Sequence, residues 1–138
     1  MAGYSGTPLA KKLGLKPPMT LLVSGAPADY ASWLGDLPGG VSLSSATRGI
    51  VQAAHVFVSK RAALQAQLVT LRAQLDPDGF VWVSWPKKAS KVPTDVTEDT
   101  IRELALPLGF VDIKVCAVSD IWSGLKLVVR RSERTKGR

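Results

Sequence analysis

The sequence has little of what most catalytic and metal sites are built from. Its 138 residues include one cysteine, Cys116, and one histidine, His55. A single cysteine excludes an internal disulfide and a cysteine-cluster zinc site. His55 has no second histidine or nearby carboxylate at a metal-ligand spacing, and no G-x-S-x-G, phosphate-loop or H-E-x-x-H motif occurs. Hydrolase and metalloenzyme functions receive little support, and we predict that both residues are structural.

Long apolar runs are also missing. The run "MTLLV" follows three lysines near the N-terminus, but it is far shorter than a signal sequence or a membrane span. A hydrophobic content of 46% is enough to form one core. A chain of 138 residues is too short for two domains of ordinary size. We therefore expect a single cytoplasmic domain over residues 1–131 with no membrane contact.

Acidic residues are scarce, and the formal net charge is +7. The last nine residues, "RRSERTKGR", hold five basic residues and one acid, so they contribute 5 − 1 = +4 of this charge. We predict that residues 132–138 form a basic, disordered tail. Weak, non-specific contact with nucleic acid is the alternative role for this tail.

Strand and helix patterns alternate along the chain. Apolar strand patterns occupy residues 19–27, 41–45, 54–59, 80–85, 110–119 and 125–131. Helical patterns occupy residues 7–14, 28–37, 60–75 and 97–106, and the third has Leu64, Leu68, Leu71 and Leu75 in one stripe. This alternation predicts an α/β protein: a three-layer sandwich around a mainly parallel sheet of about six strands, with a C-terminal antiparallel hairpin strand.

Two phrases, "LRAQLDPDGFVWVSWP" and "IRELALPLGFVDIKV", resemble passages of the class I S-adenosylmethionine-dependent methyltransferases, which have a Rossmann-like fold. The first is similar to that family's fourth helix and fifth strand, and the second to its last helix and sixth strand. The resemblance implies that Leu125–Arg131 is the antiparallel strand inserted near the sheet edge. It also implies that the usual third strand is missing, because few residues separate "SLSS" from "AHVFVS".

The chain departs from that family at the cofactor positions. The first strand ends "VSGAPADY", with Gly25 alone where the family has several glycines, and Pro27 removes an amide donor if it is the first helical residue. The second strand ends "SLSSATRG" and has no carboxylate for ribose hydroxyls. We therefore expect no cofactor, and S-adenosylmethionine held weakly by Ser24 and Gly25 is the alternative.

A second resemblance spans nearly the whole chain. The phrases "AGYSGTPLAKKLGLK", "WPKKASKVPTDVTED" and "VDIKVCAVSDIWSGLKLVVRR" are similar to a family of small bacterial proteins described only as a domain of unknown function. This resemblance implies no activity, substrate or partner.

Basic residues follow several of the predicted strands. Ligands of open α/β sheets bind beyond the carboxyl ends of the strands, so these residues are expected at the ligand-binding edge. The predicted anion-binding residues are Arg48, Lys60, Trp85, Lys87, Lys88, Ser90 and Lys91. Convergent cations and hydroxyls suit a phosphate or carboxylate, since each charged hydrogen bond contributes roughly 1.5–3 kcal/mol. The alternative is a solvated basic edge whose lysines only keep the loop soluble. Asp95 or Thr97 is predicted to cap the following helix, with Glu98 and Asp99 in its first turn, and these three carboxylates are expected to support the helix rather than to act as acids or bases.

The resulting functional prediction is a non-catalytic domain that binds a small nucleotide- or phosphate-like anion, or a protein partner, at this basic edge. One alternative is a small methyltransferase with a non-standard cofactor loop. Another is a nucleic-acid-binding accessory protein. A homodimer that covers the place of the missing strand is a further expectation.

Overall fold

The computed structural model describes residues 8–45 and 49–134. The strands are β1 (Met19–Ser24), β2 (Val41–Ser44), β3 (Val51–Phe57), β4 (Leu75–Pro86), β5 (Phe110–Ala117) and β6 (Trp122–Val129). The α-helices are α1 (Leu9–Leu13), α2 (Tyr30–Leu34), α3 (Arg61–Gln74) and α4 (Glu98–Ala105). No helix in the described part of the chain is long and apolar enough to cross a membrane.

The six strands form one sheet in the order β2-β1-β3-β4-β6-β5. Strands β1 to β4 pair in parallel, whereas β6 is antiparallel to both of its neighbours. The expected mainly parallel sheet with one antiparallel C-terminal strand is confirmed. Strand β2 lies at one edge, with no further strand of the described chain beyond it, as expected for a sheet that lacks the third strand.

Two apolar cores hold helices against opposite faces of the sheet. Helices α3 and α4 contribute Leu64, Leu68, Leu71 and Ile101 to the first core. Helices α1 and α2 contribute Leu9, Leu13, Tyr30 and Leu34 to the second. The predicted three layers are therefore present, and the leucine stripe of the third helical pattern is buried as expected. Cys116 is partly buried and packs against the second core.

Several predicted boundaries shift in the structure. Leu75 begins β4 instead of ending α3, because the chain turns from helix to strand without a separate loop. Strand β6 begins at Trp122, three residues before its predicted start, and Trp122 pairs with Pro86. Helix α2 begins at Tyr30, whose amide donates to the Pro27 carbonyl at 3.0 Å in a preceding turn. The expectation that Pro27 is a helical residue is therefore wrong.

The N-terminal segment agrees in part with its prediction. Helix α1 begins after Pro8, which occupies the N-cap position, and it ends at Gly14 with a left-handed φ of +78°. Thr7, where the helical sequence pattern begins, lies outside the described residues. Of the predicted tail, residues 132–138, the structure describes only residues 132–134. Residues 131–133 form a short 3-10 turn.

Candidate functional site

The carboxyl ends of the parallel strands meet at one edge of the sheet, which we call the carboxyl rim: residues 24–29, 45, 58–61 and 86–96. Ser24 pairs with Val56, and Phe57 pairs with Ser84, so β1, β3 and β4 end side by side. Trp122, at the start of β6, adjoins the same edge through its pairing with Pro86. The topology thus brings Ser24, Gly25, Lys60 and the predicted lysines to a single edge. Arg48, the remaining predicted cation, lies outside the described residues.

The segment after β4, residues 87–96, is an anchored loop, here called the lysine-rich loop. The Lys87 amide donates to the Ile121 carbonyl at 2.7 Å. The Ser90 hydroxyl donates to the Lys87 carbonyl at 2.6 Å and accepts from the Val92 amide at 3.2 Å. Lys91 adopts a left-handed conformation with φ +62°, which is uncommon for a residue with a side chain. Ser90 therefore serves the loop's own structure, and the ammonium groups are what the loop presents outward.

The far end of this loop caps helix α3. The Asp95 carboxylate accepts a hydrogen bond from the Arg61 amide at 2.5 Å, while the Asp95 amide donates to the Ser59 carbonyl at 3.1 Å. The Thr94 hydroxyl also donates to the Ser59 carbonyl, at 2.8 Å. Because a side-chain carboxylate already occupies the helix N-terminus, that position is closed to an external anion.

Helix α4 has its own cap. The Thr97 hydroxyl accepts from the Thr100 amide, and the Thr100 hydroxyl accepts from the Thr97 amide, which together form a capping box. Of the two residues predicted to cap this helix, Thr97 does so and Asp95 caps α3 instead. Glu98 and Asp99 lie in the first turn of α4 and both form ion pairs with Arg102.

The loop after β1 is packed closely against β3. The Ser24 hydroxyl accepts a hydrogen bond from the Gln67 side-chain amide at 2.8 Å. Gly25 has a φ of +72°, and a Cβ atom placed there would lie 2.8 Å from the Phe57 carbonyl oxygen. Gly25 is thus required by the approach of two backbone segments. Both predicted cofactor contacts have internal partners or neighbours instead.

The exposed cations at the rim give it a positive character. Lys60, Lys88 and Lys91 are exposed, and none forms an ion pair among the described residues. Arg61 is neutralised by Glu103, with 2.7 Å between the guanidinium and the carboxylate. The rim can therefore attract an anion through three exposed ammonium groups.

The aromatic residues at the rim are mainly structural. Trp85 is 8% exposed and belongs to the core beneath α3 and α4, so it offers little ring surface to a ligand. Trp122 is half-buried and meets Phe57 edge-to-face with 5.1 Å between ring centroids. Phe57 in turn stacks on His55, with 4.3 Å between centroids.

A buried polar chain lies directly beneath this aromatic layer. The Tyr30 hydroxyl is 2.8 Å from His55 Nδ1, and the Ser84 hydroxyl is 2.7 Å from His55 Nε2. Burial lowers the pKa of His55 to about 3 and raises the pKa of Tyr30. A neutral imidazole has one donor and one acceptor, so one hydroxyl donates to the ring and the other accepts from it. The prediction of a satisfied structural histidine agrees with this geometry, although the sequence indicated neither partner.

A cavity of about 510 Å³ lies at the opposite, amino edge of the sheet. Its lining includes Ile50, Val69, Arg72, Leu108 and Val129, and none of the predicted anion-binding residues. No group of three or more potential metal ligands occurs among the described residues.

The order of the strands and the helices on both faces of the sheet give this chain a class I methyltransferase-like fold. Residues 43–131 match the family described as "Protein of unknown function (DUF3052)", and the chain belongs to that family. No curated protein sequence matches the chain.

Solved structures resemble the chain at low sequence identity. A "SAM dependent methyltransferase from Aquifex aeolicus" has a TM-score of 0.61 and 15% identity, covering 88% of each chain. The "ribosomal protein L11 methylase" from Lactobacillus delbrueckii subsp. bulgaricus has a TM-score of 0.57 and 14% identity, covering 89% of this chain and 76% of the other. The Methanococcus jannaschii fibrillarin pre-rRNA processing protein has a TM-score of 0.55 and 14% identity, covering 89% and 73%. These likenesses confirm the fold.

The described residues at the rim differ from the usual S-adenosylmethionine site of this fold at two positions. The glycine position after β1 is filled by the Phe57 carbonyl oxygen, 2.8 Å from where a Cβ would lie. The segment from Val41 to Ile50 contains no carboxylate to accept ribose hydroxyls. Proposals for this site therefore start from its cations.

Proposed function

We propose that this protein is a non-catalytic methyltransferase-like domain that binds a small phosphate- or carboxylate-bearing ligand at the carboxyl rim. The observation that carries the proposal is the pairing of a closed β1 loop with an exposed cationic loop on the same edge. Lys60, Lys88 and Lys91 supply positive charge without ion-pair partners among the described residues.

The chemistry of these groups favours binding over catalysis. Ammonium groups act as point charges toward phosphate and carboxylate, and the anchored loop reduces the entropy lost when they are ordered. The hydroxyls that could polarise a substrate, Ser24, Ser90 and Thr94, already hydrogen-bond to Gln67, Lys87 and Ser59. The buried His55 lies beneath Phe57, out of reach of a ligand at the rim.

Calorimetric titration with inorganic phosphate, ATP, coenzyme A and citrate would test this proposal. The wild type should bind at least one of these anions, and Lys88→Gln/Lys91→Gln should weaken that binding about tenfold or more because two charged contacts are lost. Arg131→Gln serves as the control. It removes an exposed positive charge that follows β6, at the opposite end of that strand from the carboxyl rim. Unchanged affinity in the double variant would overturn the rim site.

A small methyltransferase is the second candidate, favoured by the likeness to the Aquifex aeolicus methyltransferase structure. Titration with S-adenosylhomocysteine separates the two functions. Binding in the micromolar range would support the methyltransferase, and the absence of heat at millimolar ligand would support the non-catalytic domain.

A further inference from the structure

Two lysines face each other across the last two strands of the sheet, β5 and β6. Lys114 of β5 is the direct cross-strand partner of Lys126 of β6. Like charges in such a pair destabilise a sheet, since their Cβ atoms lie about 5 Å apart. Lys126 is four residues along β6 from Trp122, which places it about 13 Å from the carboxyl rim.

Lys126 is held in place by aromatic rings. Its Nζ atom lies 4.4 Å from the centroid of the Phe80 ring and 6.0 Å from that of Trp82. A Cβ atom placed at Gly14, the end of α1, would lie 3.4 Å from the same Nζ. The ammonium group is therefore fixed beside the end of α1. Burial, and then the positive charges of Lys114 and Lys16, lower the pKa of Lys126.

No carboxylate balances this cluster among the described residues. The ion pairs of that part of the chain involve Arg61, Arg72 and Arg102, and none involves Lys16, Lys114 or Lys126. Lys126 also makes no hydrogen bond through its ammonium group within the described residues.

A β-bulge in β5 changes which face of the sheet Asp112 occupies. Without the bulge, strand alternation would place Asp112 on the same face as Lys114. Asp112 pairs with Leu127 and Lys114 pairs with Lys126, with a register shift between them. Leu127 belongs to the core under α3 and α4, whereas Lys126 packs on Phe80 of the other core. Asp112 therefore lies on the opposite face, where it pairs with Arg102 at 3.0 Å. The bulge leaves the lysines without a counter-charge on their own face.

We propose that Lys114 and Lys126 form a phosphate-binding site on the face of the sheet beside α1, separate from the carboxyl rim. An anion between Lys114 and Lys126 removes their repulsion and accepts charge-assisted hydrogen bonds from both. The phosphate belongs either to a small molecule or to a nucleic-acid backbone. The two rings next to Lys126 in the described part of the chain, Phe80 and Trp82, are buried and not open for base stacking.

The test compares thermal unfolding of four proteins at low ionic strength: wild type, Lys114→Gln, Lys88→Gln/Lys91→Gln and Arg131→Gln. Lys114 is exposed, so its substitution leaves the core intact. Without added anion, Lys114→Gln should unfold at the wild-type temperature or above it, because a repulsion is removed. Saturating pyrophosphate should raise the wild-type unfolding temperature by roughly 3 °C or more over chloride of equal ionic strength.

The variants separate this site from the rim. Lys114→Gln should lose at least two thirds of the pyrophosphate response, while Arg131→Gln should keep all of it. Lys88→Gln/Lys91→Gln should keep the part that depends on Lys114, even if the rim proposal fails. Lys126→Met, which preserves the apolar stem over Phe80, provides a second variant and should match Lys114→Gln.

A labelled single-stranded RNA 20-mer identifies the source of the phosphate. A response to pyrophosphate assigns a small ligand. Binding to the RNA alone, with the slope of log affinity against log salt reduced by about one in Lys114→Gln, assigns a nucleic-acid backbone. An equal response of wild type and Lys114→Gln to both probes, or no response to either, would overturn the proposal.

Discussion

The carboxylate of Asp95 caps helix α3 by accepting a hydrogen bond, at 2.5 Å, from the backbone amide of Arg61. The two residues are 34 positions apart in the chain. This contact fixes the end of the lysine-rich loop against the helix, so loop geometry and helix stability depend on the same carboxylate.

Replacing Asp95 should therefore destabilise the protein. Asp95→Ala should lower the free energy of unfolding by about 1 kcal/mol, because α3 loses its cap. Asp99→Ala is the matched control: the Asp99 side chain is 94% exposed, and its ion pair with Arg102 contributes little. Urea denaturation measures both. Equal losses for the two variants would show that Asp95 acts only through its charge.

The two hydroxyls beside His55 should each be important for stability. Tyr30→Phe and Ser84→Ala each leave a buried imidazole nitrogen without its partner, which should cost about 1–3 kcal/mol. The loss in the double variant should be smaller than the sum, since both residues bind one ring. Ser32→Ala in the same helix as Tyr30 removes only an exposed hydrogen bond to Asp29 and should change stability by less than about 0.5 kcal/mol. Additive losses would contradict a connected chain of hydrogen bonds.

His55 should also make stability depend on pH. Burial lowers its pKa to about 3 in the folded state, against 6.5 when unfolded. The unfolded chain takes up a proton first as the pH falls, so the contribution is fully present above pH 6.5 and is lost progressively toward pH 3. The expected slope is about 1.4 kcal/mol per pH unit in that window.

His55→Gln isolates this contribution, because glutamine does not titrate. The variant should be less stable than wild type at pH 7, and the difference should shrink as the pH falls from 6.5 to 4. Chemical denaturation at several pH values measures it. A difference that stays constant over this range would mean that His55 is already charged in the folded protein.

Gly25→Ala should test whether the β1 loop is closed by backbone contact. An alanine Cβ there would lie 2.8 Å from the Phe57 carbonyl oxygen, in addition to the strain of a φ of +72°. Gly49 has a φ of +87°, and a Cβ atom added to it would meet no atom of the described residues within 4 Å, so Gly49→Ala carries the strain without the clash. Gly25→Ala should be less stable by at least about 1 kcal/mol more than Gly49→Ala. Similar thermal stabilities would indicate that the loop has room to move.

The sequence predicts the architecture well, because periodicity reports which residues are buried. The stripe of Leu64, Leu68 and Leu71 identifies α3, and the absence of a third strand follows from the short segment after β2. Position at the carboxyl rim was predictable for Lys60 and the lysine-rich loop, since strand direction alone decides which ends meet.

What the sequence could not supply are contacts between distant segments. Asp95 follows the pattern of a local helix cap, yet it caps an earlier helix whose first residue lies 34 positions before it. The partners of His55 come from a helix and a strand on either side of it in sequence. The pairing of Lys114 with Lys126 depends on a bulge that alternation does not reveal. Each joins segments that are far apart in the chain, whereas periodicity reports only which residues of one segment share a face.

The cap at Arg61 also closes a ring in the chain. Helix α3 passes directly into β4, β4 leads to the lysine-rich loop, and Asp95 at the end of that loop returns to the first residue of α3. A ligand that draws the loop outward must release this amide, whereas one that binds the loop in place retains it. Hydrogen exchange at the Arg61 amide would therefore report occupancy of the rim from inside the protein, without a label on the ligand.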